Sequence, residues 1–441
     1  MRSERASSPI VTHRRLKRYP TYTDSGIEWL GEVPAHWGTS KVKFLGRYVN
    51  GYAFKPDDWS VDGRPIVRIQ NLTNPDASFN RLEGELDQRY RVRQGDILIS
   101  WSASLGLFVW PHEEDGWLNQ HIFKVELREG LVDRGFFVWL GTWFVHELKK
   151  ETHGSTMAHL TNDVFGGFRV EVPPLQEQRP IAAFLDRETA RIDALVGKKE
   201  RLIALLQERR AALITQAVTK GLDPNVPRRE SGVEWLGEVP RDWEVKKLKR
   251  LCLVRRGASP RPIDDPRFFD DGGDHAWVRI ADVTASHRYL EFTTQRLSPL
   301  GQSKSVALEP GELFVSIAGT VGKPIVTKIR CCIHDGFVYF VGLRINREYL
   351  YYLFASGEPY KGLGKLGTQL NLNTDTIGDI FVPLPSRTVQ QTIVEHLDRE
   401  AAHIDTLITK VREAIERLNE LRSALISAAV TGKIDVREEV G

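Results

Sequence analysis

Gly26-Ile-Glu-Trp-Leu-Gly-Glu-Val-Pro34 recurs as Gly232-Val-Glu-Trp-Leu-Gly-Glu-Val-Pro240, and a tryptophan follows each copy, at Trp37 and Trp243. Chance does not produce a match of this length, so the chain is built on an internal repeat. A second match runs without gaps from Leu185-Asp-Arg-Glu188 through Ala217-Val-Thr219 against Leu397-Asp-Arg-Glu400 through Ala429-Val-Thr431, with roughly half of the positions identical. Between these blocks the likeness is faint. Val67-Arg-Ile69 resembles Val278-Arg-Ile280, and Gly95-Asp-Ile-Leu-Ile-Ser100 resembles Gly311-Glu-Leu-Phe-Val-Ser316. The order is therefore head, variable domain and helix, then the same three again.

The repeated tails are helical. Leu397, Ile404, Val411, Leu418 and Leu425 fall seven apart, with Leu407 on the adjoining seam. In the first copy Leu185, Ile192, Leu206 and Leu213 keep that spacing, Lys199 interrupts it, and Leu195 and Leu202 form the neighbouring column. Pro173, Pro174 and Pro180 mark the helix opening, and Gly221 with Pro224 and Pro227 ends it. Some ~45 residues at 1.5 Å each make a rod of up to ~65 Å. Its apolar stripe would aggregate if left bare, so the two helices are expected to pair with each other, antiparallel if a pseudo-two-fold axis relates the halves.

The division that follows is a basic tail at 1–18, a first variable domain at 19–174 and a helix at 175–221. A linker at 222–231, a second variable domain at 232–384, a helix at 385–432 and a C-terminal tail at 433–441 complete it. Short β-branched runs bounded by Gly, Asp and Pro, such as Asp96-Ile-Leu-Ile-Ser100, Ile122-Phe-Lys-Val-Glu-Leu127 and Gly336-Phe-Val-Tyr-Phe-Val341, read as strands. Phe136 to Lys150 and Glu348 to Ala355 have helical, aromatic-rich patterning expected to pack on a sheet. The expected class is α+β: two mixed α/β domains separated by two long antiparallel coiled-coil helices.

A chain of 441 residues, 41% hydrophobic and 27% charged, is long enough for two or more cores. No run approaches the ~18 apolar residues of a membrane span, which points to a cytoplasmic protein. The Arg- and Ser-rich first residues mimic a transit peptide or, at Arg14 and Arg15, a twin-arginine signal, but no hydrophobic stretch follows and a disordered tail is the simpler reading. Cys252, Cys331 and Cys332 have no metal-site spacing and read as buried thiols. Net charge is only +3, yet Arg241, Lys246, Lys247, Lys249, Arg250, Arg255, Arg256 and Arg261 cluster against Asp242 and Glu244. Such a cluster is either a solvated basic face or a phosphate contact.

Catalytic signatures lack context. Gly319-Thr-Val-Gly-Lys-Pro324 has neither the glycine spacing nor the hydroxyl residue of a Walker A loop. Gly362-Leu-Gly-Lys-Leu-Gly367 matches G-x-G-x-x-G but leads into the polar run Thr368-Gln-Leu-Asn-Leu-Asn-Thr374 instead of opening a helix, which argues against nucleotide or methyl-donor binding. The base-holding Asn or Asp before Pro-Pro and an aromatic is absent, since the only Pro-Pro is Val172-Pro-Pro-Leu175. His153 and His159 are six apart and fit no zinc pattern. No metal site is expected.

These residues resemble the specificity subunits of type I restriction-modification systems. The heads Trp29-Leu-Gly-Glu-Val-Pro34 and Trp235-Leu-Gly-Glu-Val-Pro240 are similar to the family's domain openings. Gly154-Ser-Thr-Met-Ala-His-Leu160 with Val172-Pro-Pro-Leu-Gln-Glu-Gln178 is similar to its domain exit, and Leu185 through Gly221 to its conserved helix. The second copy departs at Gly367-Thr-Gln-Leu-Asn-Leu372, Val382-Pro-Leu-Pro-Ser386 and Gln390-Gln391. The resemblance implies a non-catalytic subunit of a bacterial or archaeal cell with two target-recognition domains that read a bipartite, asymmetric duplex. It implies two methylation subunits and restriction-translocation subunits as partners, and these carry S-adenosylmethionine, ATP and magnesium; no cofactor is expected in this chain.

Two domains of one plan with diverged middles, held apart by a stiff spacer, suit a split DNA target on physical grounds as well. Candidate base-reading loops carry Tyr52, Lys55, Arg68, Gln70, Asn71, Ser102 and Ser104 in the first domain. The second offers Arg255, Arg256, Arg261, Arg279, Thr320, Lys323, Gln369, Asn371 and Asn373. Arg68 and Arg279 recur in both copies and suit a shared phosphate contact or a structural ion pair as well as base reading. The rival readings are a coiled-coil scaffold that binds no DNA and a fused methyltransferase or nuclease.

Overall fold

The computed structural model describes residues 17–27, 30–102, 104–152, 162–361, 363 and 372–439. It divides into two compact units, residues 1–198 with 413–441, and residues 199–412, so each long helix contributes one part to each unit.

Unit one opens with a hairpin of Tyr22–Asp24 and Glu32–Pro34. A two-stranded neck follows, Gly38–Lys41 paired with Arg169–Val172, which brings the two ends of the variable domain together. Beyond the neck stand two four-stranded sheets. The first runs Gly46–Asn50, Ile122–Leu127, Ile97–Ser100, Gly106–Val109, all antiparallel. The second runs Arg81–Leu82, Arg64–Val67, Gly116–Leu118, Arg91–Val92, with its central pair parallel. Ile97-Leu-Ile-Ser100 is buried throughout because both of its faces are covered. Ile97 and Ile99 pack with Phe136, Phe137, Leu140 and Phe144 of helix Arg134–Thr152. Leu98 points the other way, to Val67, Val92, Trp110 and Leu118.

Unit two repeats the plan. Its hairpin is Arg228–Glu230 with Glu238–Pro240, and its neck is Glu244–Lys247 with Phe381–Leu384. Its first sheet orders Leu253–Arg256, Phe337–Val341, Leu313–Ser316 and Pro324–Thr327, with Tyr289–Leu290 added at the edge. Its second orders Gln295–Leu297, His275–Val278, Cys331–Ile333 and Val306–Leu308, again with a central parallel pair. Leu313 and Val315 face helix Arg347–Ala355 while Phe314 faces the other core. The three cysteines are free and buried, and burial pushes the Cys252 and Cys331 thiols up to about 12.

The long helices are Leu175–Lys220 and Arg387–Val430. Pro180 lies inside the first of them and does not mark its start. Asp193 meets Arg422 at 3.0 Å in unit one, and Arg210 meets Asp405 at 3.6 Å in unit two. A rising position in one helix thus meets a falling position in the other, as antiparallel pairing requires. The two ion pairs also occupy equivalent positions of the repeat.

Leu185, Ile192, Leu397 and Ile404 are buried in the seam, while Leu206, Leu213, Val411, Leu418 and Leu425 are half-buried. The expected neighbouring column is corrected. Leu195 and Leu202 are 37% and 43% exposed. The second seam column lies four residues on from the first, at Thr189, Val196, Ile203, Arg210 and Ala217, mirrored by Ala401, Ile408, Ile415, Arg422 and Ala429. Alternating steps of three and four keep a seam facing one partner, and either order of steps satisfies a count of leucines.

The terminal segments also differ from expectation. Residues 1–16 of the expected tail lie outside the described residues, but Lys17 accepts a backbone bond from Asp435 (2.8 Å) and pairs with Glu438 (2.5 Å). The C-terminal segment is part of the core: Val436 is fully buried, Tyr22 Oη donates to Gly432 O (3.0 Å), and the Arg437 guanidinium lies 4.9 Å above the Tyr19 ring. In unit two the linker serves its head, with Arg229 Nη2 donating to Trp243 O (2.6 Å). Val436→Ala is therefore expected to cost about 2 kcal/mol, from lost burial and a residual cavity. A melting temperature equal to the parent's would show that the tail is not part of the core.

Candidate nucleic-acid interface

In unit one the loop after Asn50 runs beside the turn that joins the two sheets. Gly51 N–H donates to Ile122 O (3.2 Å), Tyr52 N–H to Leu118 O (2.8 Å), and Gln120 N–H to Tyr52 O (2.9 Å). Backbones this close leave no room for a side chain, since a Cβ on Gly51 would lie 2.1 Å from Asn119 O. The turn reaches two further segments. Asn119 N–H donates to Val67 O (3.3 Å), next to Arg68, and Trp101 N–H donates to His121 O (3.2 Å). Three loops expected from the sequence thus converge on a fourth element, Asn119-Gln120-His121, which the sequence reading missed.

Unit two repeats the convergence. Gly257 N–H donates to Phe337 O (2.9 Å), Ala258 N–H to Ile333 O (3.2 Å) and Ile317 N–H to Gly336 O (2.8 Å). A Cβ on Gly257 would lie 2.3 Å from His334 O. The Arg279 segment joins through Thr284 and Thr320, whose hydroxyls are 2.6 Å apart. The inter-sheet turn here is His334-Asp335-Gly336.

The backbone is shared and the side chains are not. In unit one Trp101 Nε1 donates to Asn50 Oδ1 (3.3 Å), Gln120 Nε2 lies 3.3 Å from His121 Nε2, and the Tyr52 ring packs edge-on against Phe54 and Tyr90. The Arg89 guanidinium sits 4.6 Å above Tyr90. In unit two Asp335 takes the centre. Ser259 Oγ donates to its Oδ1 (2.7 Å), Arg261 Nη2 to its Oδ2 (2.9 Å), and Arg256 Nε to its backbone carbonyl (2.5 Å). The Ser259 hydroxyl is the first cause, with Arg261 and Arg256 adding, of a carboxyl held below the usual range.

The basic stretch at Arg241 to Arg261 separates into two parts. Lys247 and Lys249 both pair with Asp379, at 3.1 and 2.7 Å, and Lys246 pairs with Glu244. Those charges are neutralised beside the neck. Arg256 and Arg261 instead stand at the loop convergence.

A family model for the type I restriction modification DNA specificity domain matches residues 34–203 and again 240–417. The chain belongs to that family. It is 23% identical over 428 residues to the type I restriction enzyme EcoBI specificity subunit of Escherichia coli, covering 93% of this chain and 89% of that one. It is 24% identical over 425 residues to the MjaVIII specificity subunit of Methanocaldococcus jannaschii, covering 92% and 94%. A chain from a structural study of complex assembly and conformational transition in the type I R-M system superposes with a TM-score of 0.71 at 19% identity, covering 91% of this chain and 99% of that one. The HsdS subunit of Thermoanaerobacter tengcongensis gives 0.50 at 18% identity, with 91% and 98% covered. Each matched segment of the specificity-domain family spans one neck and one loop convergence, so the repeat in the sequence is a repeat of this domain.

Within that frame the expected residues fall into groups. Tyr52, Lys55, Ser104 and Arg261 are exposed on the converging loops, Gln70 is exposed on the short helix Ile69–Thr73, and Arg255 and Arg256 are exposed at the end of strand Leu253–Arg256. Asn71 is buried and donates to Ala77 O and Ser78 O, so its amide holds its own loop. Ser102 is buried as well. Lys323 donates to Thr284 O (3.1 Å) and Ser286 O (2.6 Å), capping helix Ile280–Ala285, and burial lowers its pKa. Asn373 caps helix Thr374–Gly378 by accepting from the N–H groups of Asp375 and Thr376. Gln369 and Asn371 lie outside the described residues, as do His153, His159 and most of both glycine-containing exits.

Arg68 and Arg279 have one geometry. Each precedes a short helix, and each gives its backbone N–H to the side chain three residues on, Asn71 (3.2 Å) or Asp282 (2.8 Å). Each also places Nη2 on the next loop, at Asn80 or Thr294. Arg68 stacks over the exposed Trp59 ring at 5.4 Å. Among the described residues no cluster of His, Cys, Asp and Glu is placed to hold a metal ion, and no helix is long and apolar enough to cross a membrane.

Proposed function

We propose that this chain reads a split, asymmetric duplex, one half-site per variable domain, and presents it to partner subunits that methylate and restrict DNA. The observation that carries this reading is the recurrence of one four-segment convergence with different chemistry on it: amide and indole groups beside His121 in unit one, a carboxylate with two guanidinium groups beside His334 in unit two. A structural role alone would not need the backbone kept and the side chains exchanged. A scaffold that binds no DNA leaves that pattern without a reason.

The partners follow from the same repeat. Leu195, Leu202, Leu205 and Leu421 on the long helices are between 37% and 52% exposed, three of them on the first helix. Because the helices repeat, they offer two equivalent docking faces, and the assembly should hold two methylation subunits together with restriction-translocation subunits. S-adenosylmethionine, ATP and magnesium belong to those partners. Half-sites read from one side of the duplex lie about one turn apart, ~10 base pairs centre to centre.

A filter-binding titration of the full chain against salt tests the reading. Binding to a target-bearing duplex should weaken log-linearly with salt, by about 0.9 log units per decade for each phosphate engaged. A chain with no measurable DNA binding at low salt would be the scaffold.

A further inference from the structure

We propose that Arg261, held in place by Asp335, reads a guanine in the half-site of the second domain; this rests on the DNA-reading function proposed above. The Arg261 side chain is 68% exposed, although its Nη2 is fixed on Asp335 Oδ2 at 2.9 Å. Asp335 is fixed in turn. Its other carboxylate oxygen accepts from Ser259 Oγ at 2.7 Å, and its backbone carbonyl accepts from Arg256 Nε. No other bond from the guanidinium is made among the described residues, so Nη2 keeps one hydrogen free and forms a two-donor fork with the neighbouring Nε or Nη1, on a planar group tethered at one end.

An exposed ion pair of this kind contributes little to stability, so folding alone does not account for it. A planar fork of N–H donors is what the O6 and N7 edge of guanine requires, and fixing it beforehand removes the entropic cost of ordering a long side chain. The carboxylate also decides between the two classes of DNA contact. A carboxylate within hydrogen-bond distance of the guanidinium repels an approaching phosphate. It does not repel the neutral edge of a base pair, and it accepts from the N4 amino group of a cytosine. In unit one the equivalent positions carry Lys55, Gln120 and Asn50 in place of Arg261, Asp335 and Arg256, so this device belongs to one half-site alone.

The test uses the full chain and a pool of duplexes randomised in one half-site at a time. The second half-site of the wild-type protein should contain an obligatory G·C pair. Arg261→Gln should reduce discrimination at that pair by roughly ten- to a hundredfold and leave the first half-site unchanged. Asp335→Asn should weaken discrimination at the same position. Arg261→Lys, which keeps the charge but not the planar fork, should weaken the discrimination while keeping the overall salt dependence, and it serves as the folding control. Replacing the guanine by 7-deazaguanine should weaken the wild type and leave Arg261→Gln unaffected. Uniform weakening of all sequences by Arg261→Gln, with the salt slope reduced by about one, would make Arg261 a phosphate contact and overturn the proposal. A second half-site with no required G·C pair would overturn it as well. A wild-type chain without any sequence preference would remove the DNA-reading function itself, whatever Arg261 does.

Discussion

Exchanging residues 42–168 for the matching segment of another specificity subunit is expected to replace one half of the recognised sequence completely and leave the other half intact. The neck strands Gly38–Lys41 and Arg169–Val172 make this segment a cassette whose two ends are already adjacent, and its remaining outside contacts include those of helix Arg134–Thr152 with the long helices, where Trp139 Nε1 donates to Asp186 Oδ1 (2.9 Å) and Asp133 N–H to Gln178 Oε1 (2.6 Å). A wider exchange of residues 20–174 should do worse. It also replaces Tyr22, Val33 and Trp37, whose partners include the C-terminal segment and Glu177, to which Trp37 Nε1 donates at 3.2 Å. The expected results are a clean half-site switch for both exchanges, with a small fall in melting temperature for the narrow one and a larger fall for the wide one. Sequencing the methylated sites of a host carrying each chimera reads the outcome. If both half-sites changed together, the domains would not be separate readers.

Inserting four residues into both long helices, after Lys198 and after Arg412, is expected to lengthen the gap between half-sites by one or two base pairs without altering either half-site. Four residues advance a helix by ~6 Å and rotate it by only about 40°, against ~3.4 Å per base pair of duplex. Paired insertions preserve both seam ion pairs, Asp193 with Arg422 and Arg210 with Asp405, because each pair lies wholly on one side of the added residues. An insertion in the first helix alone leaves its partner four residues short, so the register of Leu206 and Leu213 or that of Leu185 and Ile192 is lost. The single-insertion protein should therefore be less stable and poorly active at either spacing. A doubly extended protein that methylated only the original spacing at normal efficiency would show that the helices are a docking platform and do not set the distance.

Much of the architecture was legible because it repeats. The first helix was expected at 175–221 and is Leu175–Lys220; the second was expected at 385–432 and is Arg387–Val430. Helices of this length carry their own signal in a heptad, and proline and glycine punctuate their ends. The buried strands were legible as short apolar runs, and the loops that follow them could be named as candidate sites. Individual side chains were harder. Asn71, Lys323 and Asn373 have the right chemistry for base edges, yet each hydrogen-bonds its own loop or helix end, since the groups that read DNA are also those that cap and brace backbone.

The amino-acid sequence alone determined that this is a duplicated chain, two variable mixed domains each followed by a long amphipathic helix, because duplication and periodicity are written in one dimension. Only the tertiary structure decided the rest. It chose Thr189, Val196 and Ile203 over Leu195 and Leu202 as the second seam column, because burial depends on where the partner helix lies and not on which column holds more leucine. It drew the C-terminal segment onto the head some four hundred residues earlier, where Val436 found a core that no local pattern announces. It also set Asn119-Gln120-His121 and His334-Asp335-Gly336 at the centre of the loop convergence. Those turns carry no motif of their own; they are central because each joins two sheets whose strands, distant in sequence, end at the same place.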